Sequence, residues 1–225
     1  DVTIVPDFTK GYSTGDVINI VEELGKEVLP MGYGYEYSGM TREEAGQSSQ
    51  VVVIFIIVLL FVYLLLSALY ESYIIPIAVL LSLPVGLAGV FIFIMLFGVS
   101  QGVVNNIYVQ ISLVMLIGLL AKNAILIVEY AIQRRQQGMN IVEAAVNGAV
   151  ARLRPILMTS FAFIAGLTPL ALSSGAGDIG NRSIGISAIG GMVIGTFIGV
   201  LIIPTLYIVF QILEEKLNGN KLRKE

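Results

Sequence analysis

The chain has 225 residues, of which 56% are hydrophobic and only 13% charged, with a net charge of −3 and a mean hydropathy of +0.87. A soluble domain carries nearer a quarter charged residues, so the chain reads as an integral membrane protein rather than a water-soluble enzyme or binding module. It has no Cys and no His, which removes disulfides, thiolate chemistry and the usual zinc and haem ligands; no metal or cofactor is expected, and nucleic acid is not an expected partner. The first residue is Asp and no signal peptide precedes the first polar stretch, so a longer polypeptide is expected upstream.

Residues 1–49 differ from the rest. They hold 9 of the 16 acids and no long apolar run. Val2–Val5 reads as the end of a strand. Ser13 or Thr14 can cap a helix reaching about Val28, with Asp16 in its first turn. Val17, Ile18, Ile20, Val21 and Leu24 give that helix an apolar face, and Pro30 and Gly32 stop it. Tyr33, Tyr35 and Tyr37 alternate as in a strand. The expectation is a strand–helix–strand remnant of an α/β unit, too short to bury a core alone. Thr41–Gln50 reads as a polar linker into the membrane.

The first predicted span runs from about Val51 to Leu69 without a charge. Tyr70, Glu71 and Tyr73 mark an interface, where aromatic rings are favoured. A second span covers about Ile74–Phe97, with Pro76 in its first turn and Pro84 as an interior kink. Gly98–Asn106 is a polar turn. The third span, about Ile107–Ile132, ends near Arg134 and Arg135. Residues 136–150 form an amphipathic segment lying along the surface or beneath the bundle. A fourth span is expected from Pro155 to Leu172, then a Gly-rich turn at 173–183 and a fifth span from about Ile184 to Ile212. Ser187, Gly191, Gly195 and Gly199 recur every fourth residue there, a spacing of small side chains that lets another helix approach closely. Pro204 is expected to bend that helix. Lys216, Lys221, Arg223 and Lys224 form a basic tail over 214–225.

The Lys/Arg count orients the spans. Arg134, Arg135, Arg152, Arg154 and the tail lie on one side, against Arg182 alone in the opposite loops. The basic side is therefore expected in the cytoplasm, with residues 1–49 and the turns near 98–106 and 173–183 outside. The fold class expected is an all-α polytopic membrane helix bundle of five transmembrane helices, preceded by a small α/β periplasmic remnant.

One cation does not fit the apolar pattern. Lys122 and Asn123 fall well inside the third span. A cation there costs at least about 2.5–3.5 kcal/mol on insertion scales, so a use for it is expected. Glu129, seven residues on, shares its face but sits about 10 Å further along the axis, too far for direct pairing. No other acid lies within a span, so a counter-charge must come from elsewhere. The bland alternative is that Lys122 snorkels or bonds carbonyls. Arg152 and Arg154 flank the fourth span as positive-inside anchors. If the helix extends back past Pro155, Arg152 and Thr159 share a face and Arg154 points away; a helix starting at Pro155 leaves that open. Thr159 and Ser160 are weak signals, because hydroxyls in membrane helices often bond their own backbone.

The stretch Ala-Lys-Asn-Ala-Ile-Leu-Ile-Val-Glu-Tyr at 121–130 resembles the resistance-nodulation-division (RND) efflux pumps, hydrophobe/amphiphile branch. So do Ala-Leu-Tyr-Glu-Ser-Tyr-Ile-Ile-Pro at 68–76, Arg-Leu-Arg-Pro-Ile-Leu-Met-Thr-Ser at 152–160, Leu-Ser-Ser-Gly-Ala-Gly at 172–177 and Gly-Gly-Met at 190–192. Tyr130 stands where that family usually has phenylalanine. The resemblance implies the end of a porter domain followed by the last five of twelve membrane helices. It places a proton relay on Lys122, Arg152 and Thr159, with Asn123 in support, and an acidic pair on a helix of the absent first half. It also implies proton-driven export of amphiphilic small molecules from the bacterial inner membrane, by a homotrimer working with a periplasmic adaptor and an outer-membrane channel. A related pump exporting metal or lipid and a non-transporting scaffold are the alternatives. Cys and His are absent and the seven Met form no pair at ligand spacing within a span, which makes metal export less expected, and no Ser/Lys, Asp/Asp or His/Glu constellation supports an enzyme.

Overall fold

The computed structural model describes residues 14–30, 32–38, 42, 50–98, 102–103, 105–175 and 178–217. Six α-helices follow one another among the described residues: α1 (Thr14–Val28), α2 (Gln50–Tyr70), α3 (Ile75–Phe93), α4 (Ile107–Gln136), α5 (Ile141–Ala171) and α6 (Asp178–Leu217). A π-helical segment, Ile94–Gly98, prolongs α3. Among the described residues, α2 to α6 are the five helices long and apolar enough to cross a membrane.

The expected α/β remnant is corrected. No strand occurs among the described residues, and Tyr33, Tyr35 and Tyr37 follow α1 as irregular chain. A strand needs a neighbour to take its backbone hydrogen bonds, and the described residues offer none. Val2–Val5, Ser13, the side chain of Asp16, most of the 41–50 linker and Lys221, Arg223 and Lys224 lie outside the described residues. The tyrosines instead fold back on α1. Tyr37 Oη donates to Ile18 O at 3.3 Å, and the Tyr35 and Tyr37 rings meet edge to face at 5.5 Å. Ile18 is buried there, but Ile20 and Leu24 remain about half exposed, so the apolar face of α1 is only partly covered.

Local chemistry sets the helix ends. Glu71 turns the chain between α2 and α3 with φ +49, a left-handed conformation that a residue with a β-carbon adopts at a cost. Ser72 Oγ then accepts from the backbone of Ile74 (3.1 Å) and Ile75 (3.4 Å), meeting donors that a helix start leaves open. Asn106 caps α4, its Oδ1 accepting from Val109 N at 3.1 Å. Gly138, at φ +93, ends α4: its N–H donates to Arg135 O and that of Met139 to Arg134 O, the left-handed stop at which glycine carries no steric cost.

α5 departs from the sequence expectation. Residues 141–150 are not a separate surface segment, and no helix starts at Pro155; one helix runs from Ile141 to Ala171 through Pro155 and Pro169. Each proline removes one backbone donor, a loss that long membrane helices accommodate through neighbouring groups. The fifth span is likewise longer than expected, with α6 continuous over 40 residues.

α6 stands at the centre and packs against α3, α4 and α5, while α2 sits at the edge. Leu66 of α2 is fully buried, whereas Val52, Ile56, Leu60 and Phe61 are largely exposed. The tightest crossing joins α3 to α6. A β-carbon on Gly89 would come 2.9 Å from Gly190 O, and one on Gly195 would come 3.1 Å from Gly86 Cα. Backbone touches backbone there, the close approach that small residues permit in membrane helices. Gly190→Ala therefore forces α3 and α6 apart, because the new methyl meets Phe93 and stands 3.0 Å from Gly89 O. A loss of roughly 1–3 kcal/mol is expected, read as a lowered melting temperature of the detergent-purified intact protein. Gly118→Ala, with nothing within 4 Å, is expected to leave it unchanged or raise it.

Candidate functional site

The middle of α4 turns two adjacent polar residues to opposite environments. Lys122 lies 15 residues after Ile107 and 14 before Gln136, so about 20 Å of helix extends on either side of it. Its neighbours Ala121, Asn123 and Ala124 are buried against the bundle. Lys122 itself is exposed on the flank and forms no ion pair among the described residues.

α5 runs antiparallel to α4 after a short turn, and Gly148 holds the two together, since a β-carbon there would meet Ile127 O at 2.8 Å. Because α5 is continuous across Pro155, Arg152 and Thr159 lie on one face, seven residues apart. Arg152 reaches α4 eight residues beyond Lys122, its guanidinium carbon 5.1 Å from the centre of the Tyr130 ring. That is about 12 Å of helix axis from Lys122. Arg152 is half-buried, and its Nε is buried without a hydrogen-bond partner among the described residues. Tyr130 also accepts a hydrogen bond from Arg134 through its hydroxyl, and the Arg134 guanidinium lies 4.9 Å from the same ring. Two cations thus share one aromatic ring, an attractive arrangement for each. Arg154 is exposed.

Seven residues back up α5, Thr159 returns to the depth of Lys122 and is exposed like it. Its Oγ1 donates to Ile156 O at 3.0 Å, the self-bonding that costs a hydroxyl little in a membrane helix. No hydrogen bond or ion pair joins Lys122, Arg152 and Thr159 to one another among the described residues. Lys122 and Thr159 share exposure on the α4–α5 flank, while Arg152 lies half-buried over Tyr130. Asn123 points the other way, into the contact with α3 and α6.

The four small residues of α6 separate by role. Ser187 is fully buried and meets Ser112 of α4, Oγ to Oγ, at 2.5 Å. A β-carbon on Gly191 would lie 3.2 Å from Gly86 O, and one on Gly195 2.6 Å from Leu120 Cδ2. Gly199 differs: a β-carbon there meets only Ile203 of the same helix, at 3.7 Å.

Further contacts escaped the sequence reading. Gly86, Gly89 and Gly190 form the α3–α6 crossing. Asn106 Nδ2 donates to Ser183 Oγ at 2.8 Å, and Ser160 pairs with Thr196 at 2.9 Å, so polar cross-links run from one end of α6 to its middle. Near the other end, Arg135 Nε and Nη2 donate to the two carboxylate oxygens of Glu215 at 2.9 and 3.1 Å, a two-pronged pair between α4 and α6. Hydroxyls four residues apart in an apolar run, such as Ser183 and Ser187, were the available signal for the cross-links. Nothing in the spacing announced the Arg135–Glu215 pair, whose members are 80 residues apart.

Five membrane-length helices and an unpaired cation midway along one of them define a multi-pass membrane protein with an ionisable group held at membrane depth. The chain belongs to the AcrB/AcrD/AcrF family, which it matches over residues 1–211, and so to the RND efflux pumps. It is 44% identical over 198 residues to the toluene efflux pump membrane transporter TtgB of Pseudomonas putida, covering 88% of this chain and 18% of that protein. Multidrug resistance protein MdtF of Escherichia coli K12 is 41% identical over 209 residues, covering 92% of this chain and 20% of that protein. Multidrug export protein AcrF of the same strain is 41% identical over 202 residues, covering 89% and 19%. The chain thus spans about a fifth of the length of the curated relatives it matches.

Arg135 and Glu215 keep 27% and 22% of their side chains exposed, so their pair is screened less than a surface bridge. A double-mutant cycle of Arg135→Gln and Glu215→Gln in the intact protein should return a coupling of about 1–3 kcal/mol, read by thermal unfolding. An ordinary surface pair gives less than about 1 kcal/mol.

Proposed function

We propose that this chain forms part of the membrane domain of a proton-driven RND exporter, exchanging protons for amphiphilic small molecules of the multidrug and solvent class. The observation that carries the reading is Lys122: an ammonium midway along a membrane helix, turned out of the bundle and without an acid in reach among the described residues. An ammonium left so in hydrocarbon is expensive. The cost falls if a further helix of the pump brings carboxylates against the α4–α5 flank. While those carboxylates are ionised, Lys122 pairs with them. When protons load, the attraction vanishes and the ammonium turns to other partners, so proton binding becomes helix movement. Thr159, level with Lys122, offers a hydroxyl on the same flank. Arg152, held by Tyr130, adds positive charge one step along the same route, and Asn123 supports the turn of helix that carries Lys122.

The wider setting follows from the same reading. The lysines and arginines favour a cytoplasmic location for the α4–α5 turn and for residues 214–225, with residues 1–49 in the periplasm as the end of a porter domain and the helices in the bacterial inner membrane. The partners are the rest of the pump, two further copies completing a homotrimer, a periplasmic adaptor and an outer-membrane channel. The names of TtgB, MdtF and AcrF, efflux and multidrug transporters, support export as the task.

The test is made in the intact pump. Lys122→Ala should reduce proton-gradient-driven export of a fluorescent amphiphile from inverted vesicles to the background rate. Lys122→Arg should restore it only in part, because a planar guanidinium does not replace a compact ammonium. Assembly, checked by size-exclusion chromatography, should be unchanged. Undiminished export by the Ala variant would remove the proposal.

A further inference from the structure

Asn123 is 7% exposed, yet its Nδ2 is buried and has no hydrogen-bond partner among the described residues. Buried amide donors are nearly always paired, with protein or with ordered water. The side chain lines a small cavity at the meeting of α3, α4, α5 and α6, together with Ser82, Ile156, Thr196, Gly199 and Ile203. The cavity offers about 10 Å³ to the centre of a water molecule, close to the room that one water needs.

Its walls carry the right chemistry. Ser82 donates its proton to Val79 O at 2.6 Å, so the lone pairs of its Oγ are free to accept. Thr196 Oγ1 lies 2.9 Å from Ser160 Oγ and retains acceptor capacity. Both residues are more than nine-tenths buried. One donor and two acceptors facing a single-molecule space match the two to four partners of a typical buried water. The space itself comes from Gly199, buried but with only Ile203 near the position of a β-carbon.

We infer that this cavity binds one ordered water molecule, which accepts from Asn123 Nδ2 and donates to Ser82 and Thr196, tying α4 to α3 and α6 behind Lys122. The water lies on the inward side of α4, opposite the flank that bears Lys122. It belongs to the bundle's internal polar structure and does not depend on the export reading.

X-ray radiolytic labelling of the intact protein tests this. Bound water is converted in place to hydroxyl radicals, which oxidise the side chains beside it. Ile203 and Ile156 are 4% and 0% exposed and would otherwise be shielded. They should be oxidised at least fivefold faster than Val90, equally buried but away from the cavity. Gly199→Ala places a methyl in the space and should reduce the Ile203 label to the level of Val90. Labelling of Ile156 and Ile203 no faster than that of Val90 in the unaltered protein would overturn the inference, whether or not the variant folds. Unchanged Ile203 labelling in a folded Gly199→Ala protein would also overturn it.

Discussion

Contact between the backbones of α3 and α6 determines where every other helix can stand. Gly86 and Gly89 face Gly190, Gly191 and Gly195, and backbone meets backbone at these positions. In hydrocarbon, packing of this kind does most of the work of holding helices together, because apolar side chains gain nothing by leaving lipid for protein. With α6 pressed on α3, α4 and α5 fill the remaining sides of α6. The rotation of α4 then follows from what α6 accepts: Ser112 against Ser187, Leu120 against Gly195, and Asn123 into the interior. Lys122 is turned outward as a result. The direction of the Lys122 cation at mid-depth is a consequence of a glycine crossing on two other helices.

Charge at the membrane edges is treated differently from charge at its centre. Arg135 has Glu215, and Arg182 has Asp178 at 3.1 Å together with Ser173 O at 2.6 Å. Arg134 and Arg152 share the Tyr130 ring. Each of these cations is answered within the chain by an acid, a carbonyl or an aromatic face. Lys122 has none of these among the described residues. Under the proposed function, that contrast leaves Lys122 open to a partner from a further helix of the pump.

Much of this was legible in the sequence. The five apolar runs were long enough to name, and Lys122 stood out because a charge interrupting such a run has few structural excuses. The glycine spacing on α6 announced a close contact, though not its partner: Ala78, Ser82 and Gly86 also recur every fourth residue on α3, but spacing alone does not say which helix a stripe meets. Two readings failed for physical reasons. The tyrosine alternation at 33–37 obeys strand periodicity, but a strand is a property of two segments. Pro155 looked like a helix start because proline fits a first turn, and α5 tolerates it internally. Thr159 and Ser160 were weak signals in the sequence; in the fold Ser160 carries the buried hydrogen bond to α6. Sequence spacing gives the face of a helix but not which face meets a neighbour.

α6 is unbroken over 40 residues, about 60 Å of rod in a bilayer whose hydrocarbon is about 30 Å thick. Asp178–Arg182 lies at one extremity and Glu215, gripped by Arg135, at the other. A rod that overhangs its pivot on both sides behaves as a lever. Tilting it by roughly one degree about the glycine crossing swings its two tips in opposite directions, and over about 60 Å their relative displacement is near 1 Å. Small rotations at mid-depth therefore reach both ends of α6 at once, with Pro204 the interior position at which the helix can bend.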